Sequence, residues 1–164
     1  MSYMVMGVSG SGKSTIGKLL AQRLGLHFID ADDYHVPSSV EKMSNGIPLT
    51  DEDRQVWLLR LNQLLHQAET TGQEIVMACS ALKESYRQTL QEGLKQPFKL
   101  VFLHGADEVL MSRLGARKGH FMPSTLLASQ LQTLEKPTYG LMVDIDQTPD
   151  QIVDEIIEHF VPVS

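Results

Sequence analysis

The sequence predicts an α/β fold, a parallel sheet flanked by helices, in one domain spanning residues 1–164. Three observations carry this expectation. Strand-like and helix-like stretches alternate along the chain, which implies βαβ units and a sheet covered on both faces. The apolar run Tyr3–Met6 leads into Gly7-Val8-Ser9-Gly10-Ser11-Gly12-Lys13-Ser14 and then into an amphipathic stretch. That is the strand, glycine loop and helix order of a phosphate-binding P-loop. Finally, the apolar runs are short, and none approaches the roughly 20 residues of a membrane span.

In chain order, the expected strands are Tyr3–Met6, His27–Asp30, Ile75–Cys79, Leu100–Leu103 and Leu141–Ile145. The first helix follows the glycine loop, with Ile16, Leu19, Leu20 and Leu24 on one face. Thr50 before Asp51-Glu52-Asp53 reads as an N-cap with an acidic first turn, and Leu58, Leu61, Leu65 and Ala68 repeat behind it at helical spacing. Thr148-Pro149-Asp150-Gln151 combines an N-cap, a first-position proline and a capping-box glutamine. Its buried stripe is Ile152, Val153, Ile156, Ile157 and Phe160, while Trp57 falls in a helical apolar pattern and belongs in the core.

Composition narrows the class. Hydrophobic residues make up 42% and charged residues 21%, the balance of an ordinary globular protein. Fourteen basic against twenty acidic residues leave a net charge of −6, which argues against a nucleic-acid binder, since a backbone binder needs a basic face. Cys79 is the single cysteine, so disulfide frameworks and thiolate metal clusters are excluded, and its apolar surroundings predict a buried, inert thiol. No leader pattern precedes the P-loop, so a cytoplasmic protein without membrane contact is expected.

The P-loop is the strongest chemical signal. Its glycines let successive backbone N–H groups turn around phosphate oxygens, and the helix start adds its positive dipole end. Lys13 is placed to reach the β- and γ-phosphates, and the Ser14 hydroxyl to hold magnesium. The chain is therefore expected to bind a nucleoside triphosphate.

Further features separate the P-loop classes. The guanine-selecting pattern Asn-Lys-x-Asp is absent. Asp30, Asp32 and Asp33 follow the second strand, at the sheet edge where open α/β proteins bind ligands; a carboxylate there suits an acceptor hydroxyl and its proton. The basic, glycine-punctuated segment Arg113–Pro123 precedes the last strand and reads as a mobile lid over about 113–124. Guanidinium groups there would stabilise charge spread over a transferring phosphoryl, and closure would exclude water. Arg113 and Arg117, four apart, share a helix face. Lys83 and Arg87, also four apart, suit an anionic substrate group or ordinary surface charge equally well, and His35, Lys42 and Arg54 fall in the same open class.

These blocks together resemble the gluconate kinases, small P-loop sugar-acid kinases related to shikimate and nucleoside monophosphate kinases. The resemblance spans nearly the whole chain. It is carried by the P-loop, Asp30-x-Asp32…His35, Glu41-Lys42-Met43…Gly46-x-Pro48-Leu49 and Asp51-x-Asp53-Arg54…Trp57-Leu58. The more specific blocks are Cys79-Ser80-Ala81-Leu82-Lys83…Tyr86-Arg87, Ala116-Arg117-Lys118-Gly119-His120-Phe121 and Ser129-Gln130…Thr133-Leu134-Glu135-x-Pro137. Departures cluster at Ala31 (glycine is usual), Val36 (proline), Ser39 (asparagine) and Val56 (proline).

The resemblance implies a five-stranded parallel sheet in the order 2-3-1-4-5, transfer of the ATP γ-phosphoryl to the terminal hydroxyl of D-gluconate, and a homodimer. It implies ATP contacts from Gly7 to Ser14, Arg113 and Lys118, with magnesium at Ser14. Asp32 is the expected base, and Asp30 its alternative or a magnesium-shell partner. Lys13 and Arg117 act on the transferring phosphoryl. Arg113 packs on the adenine or contacts phosphates. Asp30, Asp32, His35, Arg54, Lys83, Arg87 and His120 surround the acceptor.

Overall fold

The computed structural model describes residues 2–116 and 125–161. Five strands form one parallel sheet: β1 (Tyr3–Met6), β2 (His27–Asp30), β3 (Ile75–Ala78), β4 (Lys99–His104) and β5 (Leu141–Asp144). Their spatial order is β2-β3-β1-β4-β5, the order expected from the resemblance. Met4 lies between Met77 and Leu100 on one face, and Val5 between Ala78 and Val101 on the other, so the centre of the sheet is apolar on both faces. Every residue of β1 and β3 is buried. That burial explains their unbroken apolar runs, because a parallel strand covered by helices on both faces has no solvent side.

The helices are α1 (Lys13–Leu24), α2 (Pro37–Ser44), α3 (Asp51–Thr70), α4 (Glu84–Gln91), α5 (Asp107–Ala116), α6 (Thr125–Thr133) and α7 (Pro149–Phe160). α1 lies against β1, β2 and β3 and packs beside α7, while α3 packs beside α4. Leu58, Leu61, Leu65 and Ala68 of α3 are buried as their spacing predicts. Each leucine contributes about 1.5–3 kcal/mol by leaving water. Both expected caps are closed reciprocally. Thr50 accepts from the Asp53 N–H and Asp53 from the Thr50 N–H, and Thr148 and Gln151 do the same for α7.

One boundary differs from expectation. Arg113 does not open a loop; it sits in the last turn of α5. Asp107 and Glu108 begin that helix and Arg113 ends it, so both ends complement the helix dipole. The rest of the expected lid, 117–124, lies outside the described residues. Among the described residues no helix is long and apolar enough to cross a membrane.

The topology brings four strand ends to one edge. Asp30 pairs with Ala78, and Met6 with Phe102, so β1, β2, β3 and β4 all deliver their following loops to the same side. The P-loop, the turn after β2 and the Cys79–Lys83 loop therefore face one another.

Candidate active site

The first half of the site is backbone. Gly10 (φ 86°) and Gly12 (φ 89°) take left-handed conformations that strain any side-chain-bearing residue, and Gly12 is the N-cap of α1. Its successor Lys13 is buried at the first helical position. The Ser14 hydroxyl donates to Asp30 Oδ2 at 2.6 Å, and Asp30 Oδ1 accepts the Asp32 N–H at 3.0 Å. A hydroxyl and a carboxylate side by side at a phosphate loop form a hard oxygen donor set, which fits magnesium. Next to the loop, a cleft of about 570 Å³ is lined by Gly10, Gly12, Thr15, Arg113, Gln147 and Pro149. Arg113 is held there by the Ile145 carbonyl, which accepts from its guanidinium at 2.6 Å.

The second half is made of side chains. After β2 a short 3-10 turn, Ala31–Tyr34, is capped by Asp30 and buries Asp32. No positive φ occurs in this turn, so Ala31 stands without strain where glycine is usual. The Ala31 carbonyl accepts the Trp57 indole N–H at 2.7 Å, and the Trp57 ring stacks on His35 with centroids 4.2 Å apart. His35 Nε2 lies 3.5 Å from Asp32 Oδ1. A cleft of about 390 Å³ opens beside this group, lined by His35, Leu49, Arg54, Trp57, Ser80 and Gln130 among others.

Among the described residues, two buried side-chain atoms lack a hydrogen-bond partner: Ser11 Oγ in the P-loop and His35 Nδ1 beside this cleft. An unmet buried polar atom costs about 1–3 kcal/mol, so such atoms mark places built for something else to bind.

The cations of the second half differ sharply. Arg54 donates through one nitrogen to the Leu49 carbonyl at 2.7 Å and the Tyr86 hydroxyl at 3.3 Å, and it lines the cleft. Lys83 is drawn to Asp51 at 3.4 Å, and the Tyr86 hydroxyl donates to the same Asp51 oxygen at 2.5 Å. That hydroxyl and the Lys83 charge hold the Asp51 carboxyl below the usual carboxylate range. Burial, then the bond to Asp51, pushes the Tyr86 phenol up.

Arg87 is buried, and its guanidinium donates to the Ala81 carbonyl at 2.7 Å, the Glu135 carbonyl at 2.9 Å and Glu84 at 3.1 Å. Ala81 is the one described non-glycine residue with positive φ, 45°, and Arg87 pins its carbonyl in that strained turn. The joint Lys83–Arg87 clamp allowed by their spacing is thus not formed. Lys83 is the extended N-cap residue of α4, its carbonyl accepting the Arg87 N–H at 3.1 Å, and the two side chains part to different partners.

Asp30, Asp32, His35 and Arg54 therefore come together at the edge facing the P-loop, and Arg113 joins the neighbouring cleft. Arg117, Lys118 and His120 lie outside the described residues. Lys42 turns away to Asp53 at 2.9 Å. Cys79 is fully buried and its thiol is pushed up to about 12 by that burial, as an inert core cysteine should be. Sequence reasoning took Pro149 only as a helix start and gave Gln147 no role; their place just after the last strand was the available signal for a cleft.

Fold and site define a P-loop kinase with a phosphate loop and a polar acceptor cleft at one sheet edge. A family model described as shikimate kinase matches residues 9–161. A probable gluconokinase of Xenopus tropicalis is 46% identical, over 95% of this chain and 91% of its own. The gluconokinase of Gluconobacter oxydans is also 46% identical, over 96% and 89%. A crystal structure of a gluconokinase from Sinorhizobium meliloti superposes with a TM-score of 0.84 at 46% identity, covering 94% of this chain and 88% of that one. The chain belongs to the gluconokinase family.

Proposed function

We infer that the protein is an ATP:D-gluconate phosphotransferase, producing 6-phospho-D-gluconate by in-line attack of the terminal hydroxyl. The observation that carries the reading is the cleft beside the P-loop, where Arg54, His35, Ser80 and Gln130 meet next to buried Asp32. A sugar acid needs one cation for its carboxylate and several polar groups for its hydroxyls, and this cleft offers that combination.

The roles proposed here rest on the geometry and, for Arg117, Lys118 and His120, on the family resemblance. Amides within the P-loop Gly7–Ser14, with Lys13, hold the triphosphate. Arg113 and Pro149 enclose the base. Ser14 and Asp30 would hold magnesium, which when bound offsets charge on the β- and γ-phosphates. This leaves Asp32 as the carboxylate that orients the attacking hydroxyl and takes its proton. His35 supports it: an Nε2–H directed at Asp32 leaves Nδ1 as an acceptor for a gluconate hydroxyl. Arg54 is the carboxylate anchor, because Lys83 is engaged with Asp51 and Arg87 with the Ala81 and Glu135 carbonyls and Glu84. Arg117 and Lys118 complete the charge around the transferring phosphoryl, and His120 adds an acceptor contact. We place this chemistry in a single-domain, cytoplasmic homodimer.

The test is a coupled assay with ATP, magnesium and a panel of acceptors. Gluconate should be phosphorylated fastest. The shikimate kinase model's match makes shikimate the informative competitor, and turnover of shikimate or a nucleotide without gluconate would overturn the assignment.

A further inference from the structure

The block Ser129-Gln130…Glu135 borders the acceptor cleft, and the structure ties it to both halves of the site. Gln130 Oε1 accepts the backbone N–H of Ser9, a P-loop residue, at 2.6 Å, across 121 positions of sequence. The same side chain lines the acceptor cleft with Arg54, His35 and Ser80. Gln130 is thus the described residue that both bonds to the P-loop backbone and borders the cleft.

Its position is rigidly held. Leu127 of α6 is buried in the core, and Leu134, just beyond the helix, packs against it. Beyond the helix, the Glu135 N–H donates to the Leu82 carbonyl at 2.7 Å, and Glu135 Oε1 accepts the Glu84 N–H at 3.0 Å. Arg87 binds the Glu135 carbonyl at 2.9 Å. The segment carrying Gln130 is therefore fastened to the acceptor loop at one end and to the P-loop at its middle.

We propose that Gln130 is a positioning residue for phosphoryl transfer, fixing the P-loop relative to the acceptor cleft so that the terminal phosphate meets the gluconate hydroxyl rather than water. The physical reason is that transfer demands near-contact alignment of donor and acceptor, while water needs no such alignment. The inference rests on the cleft's assignment to gluconate. Arg54→Met tests that assignment separately, since a misassigned cleft leaves the KM of gluconate unchanged.

The experiment measures kcat, both KM values and the ratio of ADP to 6-phosphogluconate formed by the full-length enzyme. Gln130→Met, similar in shape but without the acceptor, should lower kcat roughly 10- to 100-fold and raise the ratio above one, with the KM of ATP little changed. Gln130→Glu keeps an oxygen for the Ser9 N–H, so its ratio should return towards one, while its charge beside the triphosphate raises the KM of ATP. Wild-type kcat and ratio in Gln130→Met would overturn the proposal, as would a lower kcat accompanied by lost thermal stability and an unchanged ratio. Should Gln130→Met fail to fold, Gln130→Glu decides, and an unchanged KM of ATP there overturns it.

Discussion

The donor and acceptor halves of the site are built from different materials. On the donor side the working groups are main-chain amides, shaped by left-handed Gly10 and Gly12 and the start of α1. On the acceptor side they are side chains from separate segments: Asp32 after β2, Arg54 on α3, Ser80 after β3 and Gln130 on α6. A backbone cradle tolerates change at its side chains and suits a ligand part common to many enzymes. A side-chain cleft is altered by single substitutions and is where selectivity resides. The departures from the family pattern, at Ala31, Val36, Ser39 and Val56, all fall on the acceptor side, and Ala31 shows how the fold absorbs one, since its backbone never required glycine.

The contrast is tested hardest at Asp32. Asp32→Asn should lower kcat by roughly a thousandfold while leaving the KM of ATP almost unchanged, as removal of a general base does. Turnover near wild type would reject the role and return attention to Asp30. Next comes Arg87, which the structure makes a scaffold rather than a substrate contact. Arg87→Met strands the carbonyls of Ala81 and Glu135 and should cost about 2–4 kcal/mol in urea unfolding, with the KM of gluconate unchanged in the folded protein.

A somewhat smaller effect is expected at Arg54. Loss of one charge-assisted contact is worth about 1.5–3 kcal/mol, so Arg54→Met should raise the KM of gluconate roughly 10- to 100-fold and spare that of ATP. An equal rise in both values would erase the distinction between the halves.

The smallest effect concerns the acceptor side's support. Lys42 and the Thr50 cap lower Asp53 from 3.8 to about 2. A carboxyl that binds protons less readily when folded stabilises the fold above its unfolded value and loses that contribution as pH falls through the folded one. Asp53→Asn should therefore flatten the decline of stability between pH 3.8 and about 2, seen as a shallower Tm against pH. An unchanged slope would remove the Lys42–Asp53 pair from the account.

Much of this was legible in the chain before any coordinates. Five strands were placed within a residue or two, most clearly β1 and β3, because a parallel strand covered on both faces must be apolar throughout. The caps at Thr50 and Thr148 were readable because a cap is a local hydrogen bond between residues three apart. The P-loop was readable for the same reason. Spacing left the partners of Lys83 and Arg87 open, because the groups around them, Asp51 for one and Ala81, Glu84 and Glu135 for the other, are brought there by folding. Gln130's bond to Ser9 had no local signature at all, its partner lying 121 residues away.

The strands, the helix caps and the phosphate loop were set out in the sequence, since each depends on residues close together in the chain. Only the tertiary structure decided which cation faces the acceptor cleft and which is spent inside the fold. Arg54, Lys83 and Arg87 carry the same charge in sequence, and what separates them is the set of acceptors that folding places around each: an open cleft for Arg54, the Asp51 carboxylate for Lys83, and the Ala81 and Glu135 carbonyls with Glu84 for Arg87.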